Sequence, residues 1–331
     1  MPATPTICLL GDVMLGRNVA ETLAAAPAAE LWSAGVREAC AACDALVVNL
    51  ECCVSTRGAP TPLIPGKPFF FRAPPSGVEA LRAIGASVAG LANNHALDFG
   101  VEALTDTLEH LRAGGIVPVG AGAEIDSARR GVVVAAGRLR LGVLAMSDHP
   151  VEYEAGRGRP GVAHADLRRA LPGWVASELG RLRSQADVVL AFPHWGANMT
   201  ASPARWQVAR ARELLAAGAD AVAGHSAHVF HGVALEPAGP ALYDLGGAID
   251  DYAIDEELRN DLGVLAEWRP RADPEIQLIG LRLRHCRTEL AAGADAEWIA
   301  RRLERACARL GTSVERLDEG RFALFHAPVE C

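Results

Sequence analysis

Short apolar runs alternate with longer segments of helical spacing over most of the chain. Seven runs predict strands: "TICLLGD", "DALVVNLE", "ASVAGLANNH", "LRLGVLAMSD", "ADVVLAFPHWG", "ADAVAGHSAH" and "ALYDLGG". Four segments repeat apolar residues at helical spacing and predict helices: "PSGVEALRAIGA", "GVEALTDTLEHLRAGG", "HADLRRALPGWVASELGRLRSQ" and "SPARWQVARARELLAAG". This alternation indicates an α/β fold in which mixed sheets are flanked by helices.

Two further stretches complete the predicted organisation. The segment "GVVVAAGRLRLGVLAM" predicts two antiparallel strands around the turn "AAGR". After residue 272 the pattern predicts a strand, "EIQLIGLRLRH", a helix, "DAEWIARRLERACARLG", and a short strand, "RFALFHA". We therefore expect one main domain over residues 1–272 and a small C-terminal α/β appendage over 273–331, packed on the same domain.

Polar side chains recur where the predicted strands end. They are Asp12, Asn49, Glu51, Asn94, His95, Ser147, Asp148, His149, His194, His225, His228 and Asp244. Ligand crevices in open α/β sheets lie outside the carboxyl ends of the strands, and helix capping does not explain so many strand ends at once. Carboxylate, amide oxygen and imidazole together suit calcium, manganese, iron or zinc. The sequence therefore predicts a divalent metal site at these strand ends.

Composition and charge narrow the class of protein. The formal net charge of −8 gives no basic face, so nucleic acid is not an expected partner. No window approaches 18 uninterrupted apolar residues, which predicts no membrane span, and the first residues lack a signal-peptide pattern, so we expect a cytoplasmic protein. The eight cysteines have no framework spacing and are expected to stay reduced. Composition leaves the oligomeric state open.

Several motifs together carry a family resemblance. "GDVMLGR", "VVNLE", "KPFFFRAPP", "LANNHALDFG", "HWG", "GHSAHV" and "YDLGG" occur in the order and approximate spacing of the CapA family, over residues 6–265. CapA proteins are poly-γ-glutamate capsule-synthesis-like proteins with a calcineurin-like metallophosphoesterase fold. The resemblance implies a metal centre formed by Asp12, Glu51, Asn94, His194, His225 and His228. It also implies that His95 transfers a proton and that Asp98 orients it.

The chain departs from the family pattern at three places. Met14 stands where phosphoesterases usually have a metal-binding histidine, and "GHSAH" stands where many relatives have Gly-His-His-Pro-His. "GGAIDD" replaces a Gly-Asn-Phe ending and adds Asp250 and Asp251 near the crevice. These added carboxylates are expected to repel a phosphate substrate.

Four functions fit the sequence. The leading hypothesis, from similarity to the soluble lasso-peptide epimerase branch of the family, is a metal-dependent peptide epimerase that inverts the Cα of a C-terminal aromatic residue. Such a reaction needs two proton-transfer groups, for which the candidates are His95 with Asp98, and His228 with Asp12, Asp250 or Asp251. The alternatives are a metal-dependent phosphoesterase, a poly-γ-glutamate biosynthesis protein, and a binding module with a degenerate metal site.

A peptide substrate needs further contacts, and several residues near the motifs are candidates. Lys67, the only lysine among 32 basic residues, lies beside three phenylalanines and could bind a substrate carboxylate, although most lysines are simply solvated. The other candidates are Arg17, Phe70, Arg72, Asn93 and Trp195. For Arg17 a salt bridge elsewhere, and for Trp195 core packing, are the competing interpretations.

Overall fold

The computed structural model describes residues 4–327, which form twenty strands and eight α-helices. The strands are β1 (Ile7–Val13), β2 (Ala45–Leu50), β3 (Cys53–Val54), β4 (Arg72–Ala73), β5 (Val88–Gly90), β6 (Val117–Val119), β7 (Ala121–Gly122), β8 (Val132–Ala136), β9 (Leu139–Ser147), β10 (Gly161–Val162), β11 (Val188–His194), β12 (Ala221–Ala223), β13 (Val233–Glu236), β14 (Gly239–Leu242), β15 (Gly247–Ile249), β16 (Leu262–Trp268), β17 (Ile276–Arg284), β18 (Arg287–Leu290), β19 (Thr312–Asp318) and β20 (Arg321–His326). The helices are α1 (Arg17–Ala25), α2 (Ala34–Ala41), α3 (Gly77–Ala83), α4 (Gly100–Ala113), α5 (Ile125–Ala128), α6 (Gly173–Arg183), α7 (Arg205–Ala216) and α8 (Gly293–Ala308), with short 3₁₀ turns at Ala28–Leu31 and Val151–Tyr153.

Two large mixed sheets form the centre of the fold. The first has the order β19-β20-β17-β16-β1-β2-β5-β6, with β15 paired to β1 and β18 paired to β17. Its strands β1, β2, β5 and β6 are parallel, whereas β16, β17, β20 and β19 are antiparallel. The second sheet has the order β13-β14-β12-β11-β9-β8 and is parallel except at its two edge pairs. Both central strands, β1 and β11, are buried throughout, as expected of strands covered on both faces.

The two sheets pack against each other, and the helices cover their outer faces. A Cβ added at Gly90 of β5 would lie 3.1 Å from the ring of Phe192 on β11, so the absence of a side chain there permits close packing between the sheets. One apolar core joins residues of both sheets, and a second lies between β9, β11, β12 and helices α6 and α7. The predicted fold class, mixed α/β sheets flanked by helices, is confirmed.

Some predicted elements differ from the structure. The hairpin of β8 and β9 is confirmed, with Ala136 opposite Leu139. The helix expected over 164–185 begins only at Gly173, because Pro172 stands at its N-cap in an extended conformation and the preceding residues are irregular. After residue 272, β17 pairs with β16 on one side and with β20 on the other, so these strands continue the first sheet.

Two expectations from composition also have a structural outcome. The expectation of fully reduced cysteines is wrong for Cys8 and Cys43, which form a disulfide across 35 residues of sequence because β1 runs beside the turn that precedes β2. Cys331 lies outside the described residues. Within residues 4–327 no helix has the length and apolar character needed to cross a membrane.

Candidate metal centre

The carboxyl ends of five strands from both sheets meet at one edge of the fold. Asp12 lies near the end of β1, and Glu51 directly follows β2. Asn94 follows β5, His194 ends β11, and His225 follows β12 and bridges back to His194. Parallel strands place these ends side by side, which is why residues far apart in sequence converge here.

Two groups of potential ligands share Asp12. The first consists of Asp12, His194 and His225, and the second of Asp12, Glu51 and His228; within each group the ligand atoms lie within 4.8 Å of one another. His228 Nδ1 is 2.9 Å from Asp12 Oδ2 and 3.7 Å from Glu51 Oε2. The Nδ1 atoms of His194 and His225 are 2.9 Å apart. Asp12 therefore belongs to both groups and would help to hold a cation bound at either.

Several buried ligand atoms at this edge have no hydrogen-bond partner. They are both carboxylate oxygens of Glu51, the Oδ1 of Asn94, and the Nε2 atoms of His194 and His225. Burying such atoms unpaired costs free energy, so a cluster of them needs an explanation such as an ion. Because oxygen and imidazole nitrogen are suitable ligands for divalent metals, the residues present fit a metal centre.

Burial and charge leave most of these groups in the protonation state that metal binding requires. Burial lowers the pKa of His225 to about 4 and lowers that of His194 well below its usual value, so both rings are neutral. Burial, reinforced by Asp12, raises the pKa of Glu51 well above its usual value. A bound cation would offset the unfavourable charge of Glu51, since metal ligation and deprotonation are coupled.

The same excess of negative charge favours the protonated form of His228. Burial opposes its protonation, but the negative charges of Glu51 and of Asp12, which lies 2.9 Å from Nδ1, raise the pKa of His228 to about 10. Burial raises the pKa of Asp12, but His228, His225 and the hydrogen bond from Asn49 together outweigh it and lower that pKa. A proton on His228 thus supplies positive charge where two carboxylates meet, which is also what a divalent cation would supply.

A network of amides and carboxylates holds the ligands in position. Asn93 Nδ2 donates to Asn49 Oδ1 (3.0 Å) and to the carbonyl of Leu50 (2.8 Å), and Asn49 Nδ2 donates to Asp12 Oδ1 (2.8 Å). Asn93 Oδ1 accepts from the backbone N–H of His95 at 3.0 Å. Asn93, a predicted substrate contact, is fully buried and instead fixes the loops that carry the ligands.

The loop after β12 is held in a strained conformation. Ser226 and His228 both have positive φ, at 118° and 58°, which is costly for residues other than glycine. Asp244 stabilises the loop by accepting hydrogen bonds from Ala227 N and Gly246 N, both at 2.8 Å. Strain of this kind persists where the surrounding structure enforces it, as at a functional site.

His95 and Asp98 lie together beside the ligand groups. His95 Nδ1 is 2.6 Å from Asp98 Oδ2, and His95 Nε2 is 3.9 Å from Glu51 Oε1. Asp98 also accepts from Phe71 N at 2.6 Å and from Tyr153 OH at 3.1 Å. Burial lowers the pKa of His95 to about 4, although Asp98 opposes this shift. The ring is therefore oriented with Nε2 toward the centre.

Lys67 belongs to the same cluster and is not a solvated surface residue. Its Nζ lies 2.8 Å from Asp98 Oδ1, and its side chain is only 8% exposed. Nζ also donates to the backbone carbonyl of Asn94, a predicted ligand. Lys67 therefore binds an internal carboxylate and does not point a free cation at solvent.

The other predicted substrate contacts are placed as follows. Trp195 is fully buried in the second core and donates to the carbonyl of Tyr243, so it does not form a wall of an open site. Phe70 and Arg72 contact Phe99, the ring of Phe70 edge-on and the guanidinium of Arg72 4.1 Å from the ring centroid. Arg17 forms a salt bridge with Asp251 at 3.3 Å.

Two aromatic residues that the sequence analysis did not single out cover the centre. Phe71 stacks on His95 with ring centroids 4.0 Å apart. Tyr252 lies edge-on to His228 at 5.2 Å and 5.8 Å from Phe71. The "FFF" stretch signalled an aromatic contact, but nothing in the sequence distinguished Phe71 from its neighbours.

Met14, Asp250 and Asp251 lie outside the two ligand groups. Met14 is fully buried, and its Sδ accepts a hydrogen bond from the backbone N–H of Gly16 at 3.0 Å. Asp250 accepts from Tyr252 N at 2.9 Å, and burial raises its pKa to about 6. Asp251 is paired with Arg17. Asp251 is therefore paired away from the ligand groups, whereas the negative charge of Asp250 acts on them and raises the pKa of both Glu51 and His228.

Comparison with known proteins gives a consistent relationship. The chain is 32% identical over 361 residues to a Mycobacterium tuberculosis protein named "Probable polyglutamine synthesis accessory protein", covering 95% of this chain and 94% of the relative. It is 30% identical over 182 residues to "PGA biosynthesis protein CapA" of Bacillus subtilis, covering 53% of this chain and 45% of the relative. A crystal structure described as a novel phosphatase of Mycoplasma pneumoniae has 12% identity and a TM-score of 0.49, covering 88% of this chain and 94% of that chain. A TM-score below 0.5 leaves this last likeness out of the functional argument.

The family match covers most of the chain and includes every residue of the two ligand groups. Residues 6–252 match the family described as "Bacterial capsule synthesis protein PGA_cap". The chain therefore belongs to the bacterial capsule synthesis protein family PGA_cap.

Proposed function

We propose that this protein is a metal-dependent hydrolase of the phosphoesterase type that acts in the synthesis of a glutamate polymer. The observation that carries the proposal is the convergence of partnerless buried ligand atoms on Glu51, Asn94, His194 and His225 beside the oriented ring of His95. The family membership and the names of its relatives support the link to polymer synthesis.

The residues of the centre divide into metal ligands and a proton-transfer group. Asp12, Glu51, Asn94, His194, His225 and His228 would hold the divalent metal. When bound, such a metal stabilises negative charge on a phosphoryl oxygen and lowers the pKa of water. Asp98 keeps the Nδ1–H tautomer of His95, which leaves Nε2 free to give or take a proton near the centre.

Two features of the sequence that argued against phosphate chemistry have a structural answer. Two ligand groups exist without any contribution from Met14, because Asp12 serves both. Asp251 is paired with Arg17, and Asp250 accepts a backbone hydrogen bond. Asp251 is therefore compensated by Arg17, and a bound divalent cation would offset the negative charge that Asp250 adds beside Glu51 and His228.

The epimerase hypothesis needs a second proton-transfer group on the opposite face of the substrate carbon. Its predicted second group, His228, has Nδ1 2.9 Å from Asp12 within a ligand group. Ligation would occupy His228, whereas His95 would remain available. Hydrolysis needs one such group and is therefore the better fit.

Reconstitution with single metals tests the proposal. The purified full chain is stripped, reloaded with calcium, manganese, iron or zinc, and assayed for metal content and for cleavage of a phosphomonoester, a phosphodiester and a γ-linked glutamate oligomer. We expect metal-dependent phosphate release. His95→Gln should keep the metal and lose turnover, while His326→Gln, at an exposed position on β20, serves as the matched control.

Three results would overturn the proposal. They are absence of bound metal under all loading conditions, unchanged turnover in His95→Gln, and cleavage of the γ-linked oligomer without any phosphoester cleavage. Deuterium incorporation at the Cα of a peptide incubated in deuterium oxide, without hydrolysis, would instead support epimerisation.

A further inference from the structure

A short irregular segment, residues 250–255 and here called the strap, lies over the metal centre. Its Tyr252 contacts the ring of His228 and faces Phe71, the other covering residue. The strap follows β15 and forms no helix or strand. Tyr252 and Phe71 therefore cover the side of the centre formed by His228 and His95.

The residue before Tyr252 attaches the strap to the start of α1. Asp251 Oδ2 accepts from the backbone N–H of Asn18 at 3.1 Å and lies 3.3 Å from Arg17 Nε. The helix α1 is nine residues long, and its first turn contains no acidic side chain of its own. A guanidinium and a free helical N–H form a receptor for an anion with planar oxygens, and the Asp251 carboxylate occupies it.

Several features indicate that Asp251 is a poor permanent partner for this receptor. Asp251 is more than nine-tenths buried, yet its Oδ1 has no hydrogen-bond partner, and the OH of Tyr252 is also buried without one. Each such atom costs free energy that the folded strap does not recover. The guanidinium side, in contrast, is open, since the Arg17 side chain is 39% exposed.

The backbone at Arg17 points to the same conclusion. Arg17 has a φ of 52°, a strained value for a residue with a side chain, at the first position of a helix. Strain of this kind is maintained at sites that bind ligands more often than in ordinary helix starts. The strained position is also the one that carries the cation.

We propose that Arg17 and the Asn18 N–H form a carboxylate subsite beside the metal centre, and that Asp251 fills it until a carboxylate of the substrate displaces it. The choice of an acidic polymer such as γ-linked glutamate as the substrate rests on the proposed function. The subsite itself rests on the contacts of Arg17, Asn18 and Asp251.

Displacement of Asp251 would connect substrate binding to opening of the centre. Moving Asp251 away from α1 moves the adjacent Tyr252, which covers His228. A cavity of about 110 Å³, lined in part by Asp250, Asp251 and Arg284, borders the strap on its other side. It offers the displaced carboxylate space beside Arg284, whose guanidinium also pairs with Glu289. An acidic substrate would therefore uncover the metal centre as it binds, whereas an uncharged one would not.

Binding measured without turnover tests the subsite. The full chain, both metal-free and metal-loaded, is titrated by calorimetry with a γ-linked glutamate pentamer, with the matched γ-linked glutamine pentamer and with inorganic phosphate. We expect the wild-type protein to bind the glutamate pentamer and not the glutamine pentamer. Asp251→Asn, which removes the competing charge but keeps the shape, should bind about tenfold more tightly, and Arg17→Gln about tenfold more weakly.

An exposed ion pair elsewhere supplies the controls. Arg140 and Asp187 form a surface salt bridge at 3.1 Å, so Arg140→Gln and Asp187→Asn change charge equally without touching the subsite. Hydrogen exchange of residues 250–255 gives a second readout. The glutamate pentamer should increase exchange in the strap of the wild-type protein, and Asp251→Asn should show that increase without ligand.

Several results of these measurements would overturn the proposed subsite. Unchanged affinity in both Arg17→Gln and Asp251→Asn would overturn the subsite, as would equal binding of the glutamine pentamer. Tight phosphate binding that is lost in Arg17→Gln, without pentamer binding, would overturn the assignment of a carboxylate. Failure of the hydrolase proposal would leave these binding results unchanged, and failure of the subsite would leave the cleavage of a small phosphoester unaffected, so the two proposals are tested separately.

Discussion

Replacing Lys67 with methionine is expected to destabilise the protein by uncovering the charge of Asp98. Asp98 is completely buried and receives four donors: Lys67 Nζ, Tyr153 OH, Phe71 N and the His95 ring. Methionine keeps most of the aliphatic stem but removes the ammonium group. The carboxylate would then remain buried with its hydrogen bonds but without its fixed cation.

The magnitude follows from the burial of the pair. Removing one partner of a buried ion pair costs about 3–5 kcal/mol, because the other charge stays in a low-dielectric environment. Three donors remain on Asp98, which places the expected loss at the lower end, about 3 kcal/mol. For a chain of this length we expect the melting temperature to fall by about 6 °C, using about 2 °C per kcal/mol.

Urea unfolding and thermal unfolding of the metal-free protein measure the effect, and a double-mutant cycle identifies its cause. Asp98→Asn removes the buried charge, so it should recover part of the stability lost in Lys67→Met when the two changes are combined. Arg140→Met breaks the exposed Arg140–Asp187 pair and should leave the unfolding midpoint unchanged.

Two results would refute this reasoning. If Lys67→Met unfolds at the same urea concentration as the wild-type protein, Lys67 does not stabilise Asp98. If the double variant is less stable than the wild-type protein by the full sum of the two single losses, the two residues act independently and the ion pair has no energetic role.

Four other variants test separate parts of the structure. Asp12→Asn and His194→Gln should each lower the bound metal measured by elemental analysis, and full occupancy in both would remove them from the centre. Burial lowers the pKa of His231 to about 4 despite its hydrogen bond to Thr200, so the neutral ring stabilises the fold fully above pH 6.5. That stability is lost as the pH falls from 6.5 toward 4, by up to about 3 kcal/mol. His231→Gln should flatten this part of the plot of unfolding free energy against pH. An unchanged slope in the variant would contradict the role of His231. Asn93→Ala should lower metal affinity about tenfold or more by releasing the loops around the ligands, and metal titration that matches the wild-type protein would show that Asn93 has no such role.

The convergence of the candidate ligands could be predicted from the sequence because it depends on topology and not on detailed packing. Polar residues that follow successive parallel strands must lie along one edge of the sheet. Asp12, Glu51 and Asn94 lie at or just beyond the ends of β1, β2 and β5 of one sheet, while His194 and His225 lie at or just beyond the ends of β11 and β12 of the other. The sequence did not show that the two sheets face each other. The polar residues at the strand ends nevertheless predicted that the ends of these strands meet at one site.

Side chains in the irregular segments could not be assigned in this way. Phe70 and Phe71 are adjacent, and the backbone hydrogen bonds of Phe71 with Cys53 N and with the Asp98 carboxylate hold it where its ring stacks on His95. Trp195 directly follows a ligand, yet it points into the second core because neighbouring residues of a strand face opposite sides. A difference of one residue in register therefore decides whether an aromatic side chain covers the site or fills the core.

The charges around the centre show most clearly why residue types alone do not predict the reaction. Asp250 and Asp251 add two formal negative charges near the crevice, and from the sequence this excess argued against an anionic substrate. In the structure Asp251 pairs with Arg17 and accepts a hydrogen bond from Asn18 N. Asn18 and Asp251 are 233 residues apart in the sequence. The same carboxylate that suggested repulsion thus indicates where an anion can bind. What a crevice repels or attracts depends on how its charges are paired, and pairing over such distances is set by the fold.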